Sequence, residues 1–116
     1  MNKRSLGKEK EELAAAFLTE RGYRILEKNF RCRAAEIDLI ARDDKILSFI
    51  EVKYRSSSKF GDPLEAVGAL KQRKIYEAAL FYISKNRVSS DTQMRFDVVS
   101  ILGDEITLIK NAFTIG

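Results

Sequence analysis

The sequence predicts an α/β sandwich, a mixed central sheet flanked by helices in the order α-β-β-β-α-β-β. Three observations predict it. Residues 8–21 carry apolar side chains at helical spacing. Two apolar runs then flank a polar turn between Ala35 and Arg55. A second long helical pattern is followed by two more strand-like runs. At 116 residues, 45% hydrophobic and 33% charged, the chain has the composition of a single soluble domain spanning 1–116 with one core.

Met1 to Gly7 is short and basic and reads as a frayed arm. The helix expected over 8–21 places Leu13, Ala14, Phe17 and Leu18 on one side, with Gly22 as its C′ residue. Glu12 falls opposite that stripe and reads as a solvated charge. Glu11 sits on the stripe's shoulder, early in the helix, where the macrodipole favours an acid. Tyr23 to Arg33 reads as a strand with an irregular second half, anchored by Tyr23, Ile25 and Phe30. Its Arg24, Lys28, Arg31 and Arg33 either guard a sheet edge or form a rim for phosphates.

The stretch from Ala35 to Arg55 reads as a β-hairpin with acids in both strands. Side chains alternate along a strand, so Glu36, Asp38 and Ile40 share one face, as do Leu47, Phe49, Glu51 and Lys53. With Asp43 and Asp44 as the turn, Asp38 lies opposite Phe49 and Glu36 opposite Glu51. Asp38 is then diagonal to Glu51, roughly 7–8 Å away at the backbone. Turns longer by steps of two keep these faces together, whereas a one-residue slip separates them. The other face, with Ile37, Leu39, Ile46, Ile50 and Val52, is apolar and expected on a core. Carboxylates gathered on one face need a cation, a proton or open water. An exposed strand end with ordinary ion pairs, such as Glu51 with Lys53, is the plain alternative.

Tyr54 to Gly61 is a polar loop bordering these acids, either a phosphate contact or a connector. Asp62 and Pro63 read as an N-cap and N1 pair that starts a helix running to about Lys85, with Gly68 a weak point inside it. Leu64, Val67, Gly68, Ile75, Ala78, Ala79 and Tyr82 form its buried stripe. Lys71 falls within that stripe, so its stem should follow the core and its ammonium reach an edge, meeting the acids, a phosphate or solvent. Gln72 and Tyr76 lie one turn apart on the neighbouring side. Met94 to Leu102 and Glu105 to Lys110 read as the last strands, joined by a turn at Gly103-Asp104, with Phe113 tucking the tail onto the body. Asp97 reads as a hydrogen-bonding or ion-pairing group rather than a ligand.

Composition narrows the chemistry. There is no histidine, which removes histidine bases, histidine triads and histidine metal sites. The single Cys32 rules out an internal disulfide and a cysteine-rich zinc site, and suits a reducing cytoplasm. A metal here would take oxygen ligands, which points to Mg2+ or Mn2+. The net charge of +4 permits phosphate-backbone binding. No run reaches the length of a membrane span and no signal-peptide core follows the basic start, so a cytoplasmic protein is expected.

The pattern Asp38, then Glu51-Val52-Lys53, preceded by a helical glutamate, resembles the PD-(D/E)xK superfamily of restriction-endonuclease-like nucleases. A closer match involves Glu11, Glu36-Ile37-Asp38-Leu39-Ile40-Ala41, Phe49-Ile50-Glu51-Val52-Lys53-Tyr54-Arg55, Lys71 and Arg95-Phe96-Asp97-Val98-Val99. In this order and spacing these residues resemble the YraN family of small bacterial nuclease-like proteins, over Gly7 to Phe113. Two positions depart from that family's usual glycines: Ala35, before the Glu-Ile-Asp string, and Lys10, before the helical glutamate.

The resemblance implies a restriction-endonuclease-like fold, a similarity to archaeal Holliday-junction resolvases, and metal-dependent hydrolysis of nucleic-acid phosphodiesters, with DNA, including branched DNA, as the expected substrate. On it, Asp38 and Glu51 bind one ion with the Val52 carbonyl as third ligand. Glu11 joins directly, through water, or at a second ion. Lys53 orients the attacking water or steadies charge on the phosphate, and Glu36 stands just outside the ligands. Lys71, Arg31, Arg33 and Arg55 hold the nucleic-acid backbone. Cutting a two-fold-symmetric junction requires a homodimer. Two other classes fit the sequence: a nucleic-acid-binding protein with this fold that does not cut, and a structural or protein-interaction factor.

Overall fold

A computed structural model describes residues 3–55 and 68–114. Its elements run α1 (Lys3–Glu20), β1 (Tyr23–Arg31), β2 (Glu36–Asp43), β3 (Ile46–Arg55), α2 (Ala69–Lys85), β4 (Met94–Leu102) and β5 (Glu105–Ile109). The five strands form one sheet in the order β1-β2-β3-β4-β5. β3 and β4 are parallel, joined across α2, and the other pairs are antiparallel. This is the expected α/β arrangement with a mixed sheet.

The helices take opposite faces. Ile75, Ala78, Ala79 and Tyr82 of α2 pack with Phe30, Ile40, Leu47, Phe49, Phe96 and Val98. Ala14, Ala15 and Leu18 of α1 pack with Tyr23, Leu39, Ala41, Ile50, Val99 and Ile101. Burying both faces of the central strands explains why they read as near-continuous apolar runs. No helix among the described residues is long and apolar enough to cross a membrane.

Several local expectations change. Helix α1 begins at Lys3, so the basic arm is helical from that point. Lysine, arginine, leucine and glutamate are good helix formers, and a single internal glycine such as Gly7 costs only about 1 kcal/mol. Leu13 is 43% exposed, and Ala15 takes its place on the buried face. Gly22 ends the helix in the left-handed region (φ 90°), where its N–H meets the Thr19 carbonyl at 3.0 Å. Strand β1 is irregular at its centre, with a bulge between Ile25 and Glu27 and a positive φ at Asn29.

The hairpin turn is Asp44-Lys45, not Asp43-Asp44. Asp43 pairs with Ile46, and Ile40, not Asp38, lies opposite Phe49. Asp43 stays in the strand because its carboxylate meets Arg95 at 2.7 Å and Lys110 at 3.2 Å. Asp44 takes the left-handed conformation (φ 56°) that aspartate tolerates. The shift is two residues, so the faces predicted for β3 hold. In β2 the alternation breaks around Asp38: Ile37 packs on the α2 side with Ile40, Leu39 packs on the α1 side, and Glu36 and Asp38 gather with Glu11 of α1 instead of sharing the Ile40 face.

Helix α2 ends at Lys85 as expected. Gly68 is its extended N-cap (φ −69°, ψ 164°) rather than a weak point inside it. The proposed cap pair Asp62-Pro63, the stripe residues Leu64 and Val67, and the loop residues 56–61 lie outside the described residues.

Candidate functional site

The site arises where the sheet forks. The β2–β3 ladder stops at Leu39–Ile50, although both strands continue. Beyond that point β2 stays with β1 as far as Glu36, and β3 stays with β4 as far as Arg55. The backbone groups that face each other across the split need other partners. Asp38 supplies one, its Oδ2 accepting the Val52 N–H at 2.8 Å. The acid therefore sits in the crotch of the fork.

Two charge clusters meet there. On the α1 side, carboxylate oxygens of Glu11, Glu36 and Asp38 all lie within 4.8 Å of one another. On the α2 side, Glu51 is only 8% exposed, and its Oε1 is held by Lys71 Nζ at 2.6 Å and Lys53 Nζ at 3.4 Å. Burial pushes the Asp38 carboxyl up to about 8. The neighbouring Glu51 and Glu11 charges add to the rise, while the Val52 hydrogen bond and Lys71 oppose it. Burial and the adjacent Lys71 ammonium lower the Lys53 pKa, against the pull of Glu51. Burial acts to lower Lys71 too, but its hydrogen bonds to Glu51 and Lys53 win and leave it raised.

The structure thus brings Glu11, Asp38, Glu51, Lys53 and Lys71 to one place, but groups them differently from the expectation. Asp38 joins Glu11 and Glu36, and Glu51 faces two lysines. Val52 reaches the site through its N–H. Glu36 is part of the carboxylate cluster, and it also pairs with Arg31 at 3.3 Å. The Arg31 side chain is otherwise 77% exposed, Arg33 is exposed on the β1–β2 connection, and Arg55 closes β3 opposite Leu102. Ala35 has an ordinary negative φ, so its backbone does not require the glycine usual in the resembling family. Its carbonyl accepts the Cys32 N–H at 3.1 Å.

The donor set fits a hard divalent ion. An octahedral Mg2+ shell spans roughly 4.2 Å between opposite oxygens. Neighbouring oxygens in that shell stand about 3.0 Å apart, so carboxylate oxygens within 4.8 Å of one another share one ion by closing on it or through a bridging water.

A second polar cluster marks the turn end of the sheet. Asp97 is fully buried and accepts from Ser48, from Tyr23 at 3.2 Å, from Arg95 at 2.8 and 2.9 Å, and from the Asn111 N–H at 2.8 Å. It is an ion-pairing anchor, as its place between apolar neighbours suggested.

Fold and site define a helix-flanked mixed-sheet protein with a carboxylate–lysine constellation at a fork in the sheet. The model of an uncharacterised protein family, UPF0102, matches residues 10–101, and the chain belongs to that family. Its relatives include UPF0102 proteins of Lachnoclostridium phytofermentans and Syntrophus aciditrophicus. The first is 50% identical over 113 residues, covering 97% of this chain and 96% of the relative. The second is 51% identical over 111 residues, covering 92% and 87%. A UPF0102 protein of Thermodesulfovibrio yellowstonii is 48% identical over 108 residues, covering 93% and 95%.

Proposed function

We propose that this protein is a metal-dependent nuclease of the PD-(D/E)xK type, hydrolysing nucleic-acid phosphodiesters, with DNA as the expected substrate. The observation that carries the reading is the fork itself. It gathers Glu11, Glu36 and Asp38 around one point and holds Glu51, Lys53 and Lys71 beside them. The resemblance to YraN-type nuclease-like proteins and to archaeal junction resolvases supports the same reading.

In this reading Asp38 and Glu11 hold Mg2+ or Mn2+, with Glu36 and Glu51 completing the oxygen set. A bound ion of this kind polarises a phosphate and lowers the pKa of a coordinated water. The chain's own groups do the rest. Asp38 is fixed for binding by the Val52 N–H. Lys53 Nζ, with its lowered pKa, orients the attacking water or steadies charge on the phosphate. Lys71 and the exposed Arg31 and Arg33 draw the nucleic-acid backbone toward the fork.

The test is cleavage of labelled single-stranded, duplex and branched DNA, and of RNA, with Mg2+ or Mn2+. Asp38→Ala and Lys53→Ala are expected to lose at least about 100-fold in rate while remaining folded by circular dichroism. Normal cleavage by both variants would end the proposal. The contact of two lysines with Glu51 favours one other reading, a nucleic-acid-binding protein that does not cut, because those ammonium groups neutralise the acid without a metal. Salt-dependent binding to DNA with no metal-dependent cleavage is its signature.

A further inference from the structure

The α1 side of the fork holds a feature that the proposed chemistry leaves unused. Tyr54 follows Lys53 on β3, so alternation turns its ring away from Lys53 and toward α1. It is 39% exposed. Lys10, one residue before Glu11 in α1, holds its ammonium over one face of the Tyr54 ring, 4.4 Å from its centre. Lys10 forms no ion pair among the described residues, although Glu11 is its chain neighbour. A partly exposed aromatic ring and a cation therefore meet on the α1 side of β3, one residue along the chain from Lys53 and from Glu11.

We infer that Lys10 and Tyr54 form a subsite for one unpaired nucleotide next to the phosphate at the fork, the base taking the Tyr54 face that the Lys10 ammonium covers in the free protein and Lys10 moving to the flanking phosphate. The inference rests on the nuclease reading and deepens it by naming the substrate class, a single-stranded segment of nucleic acid. In a duplex the faces of the bases are already stacked on one another, and only their edges reach a groove. A tyrosine face is thus of use chiefly to an unpaired base, whereas a lysine alone would serve duplex and single strand alike.

Fluorescence anisotropy tests the inference. The full chain is titrated onto a labelled 12-nucleotide single-stranded DNA and onto the duplex of the same sequence, in EDTA so that nothing is cut. Wild type is expected to prefer the single strand. Tyr54→Leu should weaken single-strand binding by about 5- to 100-fold, the range of one base–aromatic stack, and change duplex binding by less than about twofold. Tyr54→Trp, which keeps a stacking face, should bind the single strand at least as tightly as wild type. Lys10→Ala should weaken single-strand binding and flatten its dependence on log salt by about 0.7. Unchanged single-strand affinity in Tyr54→Leu, or equal losses on both DNAs, overturns the inference and leaves the nuclease reading standing. Absence of any nucleic-acid binding by wild type, both in EDTA and with Ca2+ in its place, overturns both.

Discussion

Asp38 carries the clearest signature of work other than folding. Its carboxyl titrates near 8 in the folded chain, chiefly through burial and then through Glu51, and near the ordinary aspartate value when unfolded. Between about pH 4 and pH 8 the folded state therefore binds more protons than the unfolded state, so stability falls as pH rises through that window. Asp38→Asn keeps an acceptor for the Val52 N–H and removes the penalty. In EDTA at pH 8.5 it should melt about 4 °C or more above wild type, and at pH 4 the two should melt alike, as scanning calorimetry would show. Divalent binding must displace the same proton, so affinity should rise by up to about tenfold per pH unit from pH 6 to 8. Alternation along two strands was enough to place Asp38, Glu51 and Lys53 at one site from sequence. It could not separate Asp38, which joins Glu11 and Glu36, from Glu51, which turns to Lys71. That division depends on where the β2–β3 ladder opens, and no residue type announces the opening.

The fork and the Asp97 anchor are products of strand pairing. β3 is held on one side by an antiparallel partner that leaves it and on the other by a parallel partner that does not. At the turn end, Asp97 ties β4 to β1 through Tyr23, to β3 through Ser48, and to the segment after β5 through the Asn111 N–H. Asp97→Ala leaves Arg95 with a buried charge facing only Asp43, and it takes the acceptor from the Ser48 and Tyr23 hydroxyls. The expected cost is about 3–5 kcal/mol, read as a lower midpoint in urea unfolding, with a smaller loss for Asp97→Asn. The hairpin was legible as a hairpin, and so were the faces of β3, whereas those of β2 were not, because its alternation breaks around Asp38. Its register was displaced by two residues because Asp43-Asp44 and Asp44-Lys45 offer similar turn chemistry. Arg95 and Lys110, which draw Asp43 back into the strand, are distant in sequence. For α2, the apolar stripe fixed the buried residues Ile75, Ala78, Ala79 and Tyr82, while the helix starts at the glycine that seemed to interrupt it.

Taken whole, the chain brings one helix to each face of the sheet and points charged residues of both at the fork. Glu11 and Lys10 come from α1, and Lys71 comes from the first turn of α2. The element order was legible because each helix and strand has its own apolar period. The meeting of α1 with β2 and β3 rests on long-range packing of Ala14, Ala15 and Leu18, which periodicity allows but does not dictate. The proposed function requires this meeting place to hold a divalent ion. Calorimetric titration of Mn2+ into wild type and Asp38→Ala tests it most directly, at low ionic strength and pH 8, with and without a short DNA duplex. Saturable binding is expected in wild type and its loss in the variant. No binding to wild type even with DNA present, or the same binding in Asp38→Ala, would contradict it.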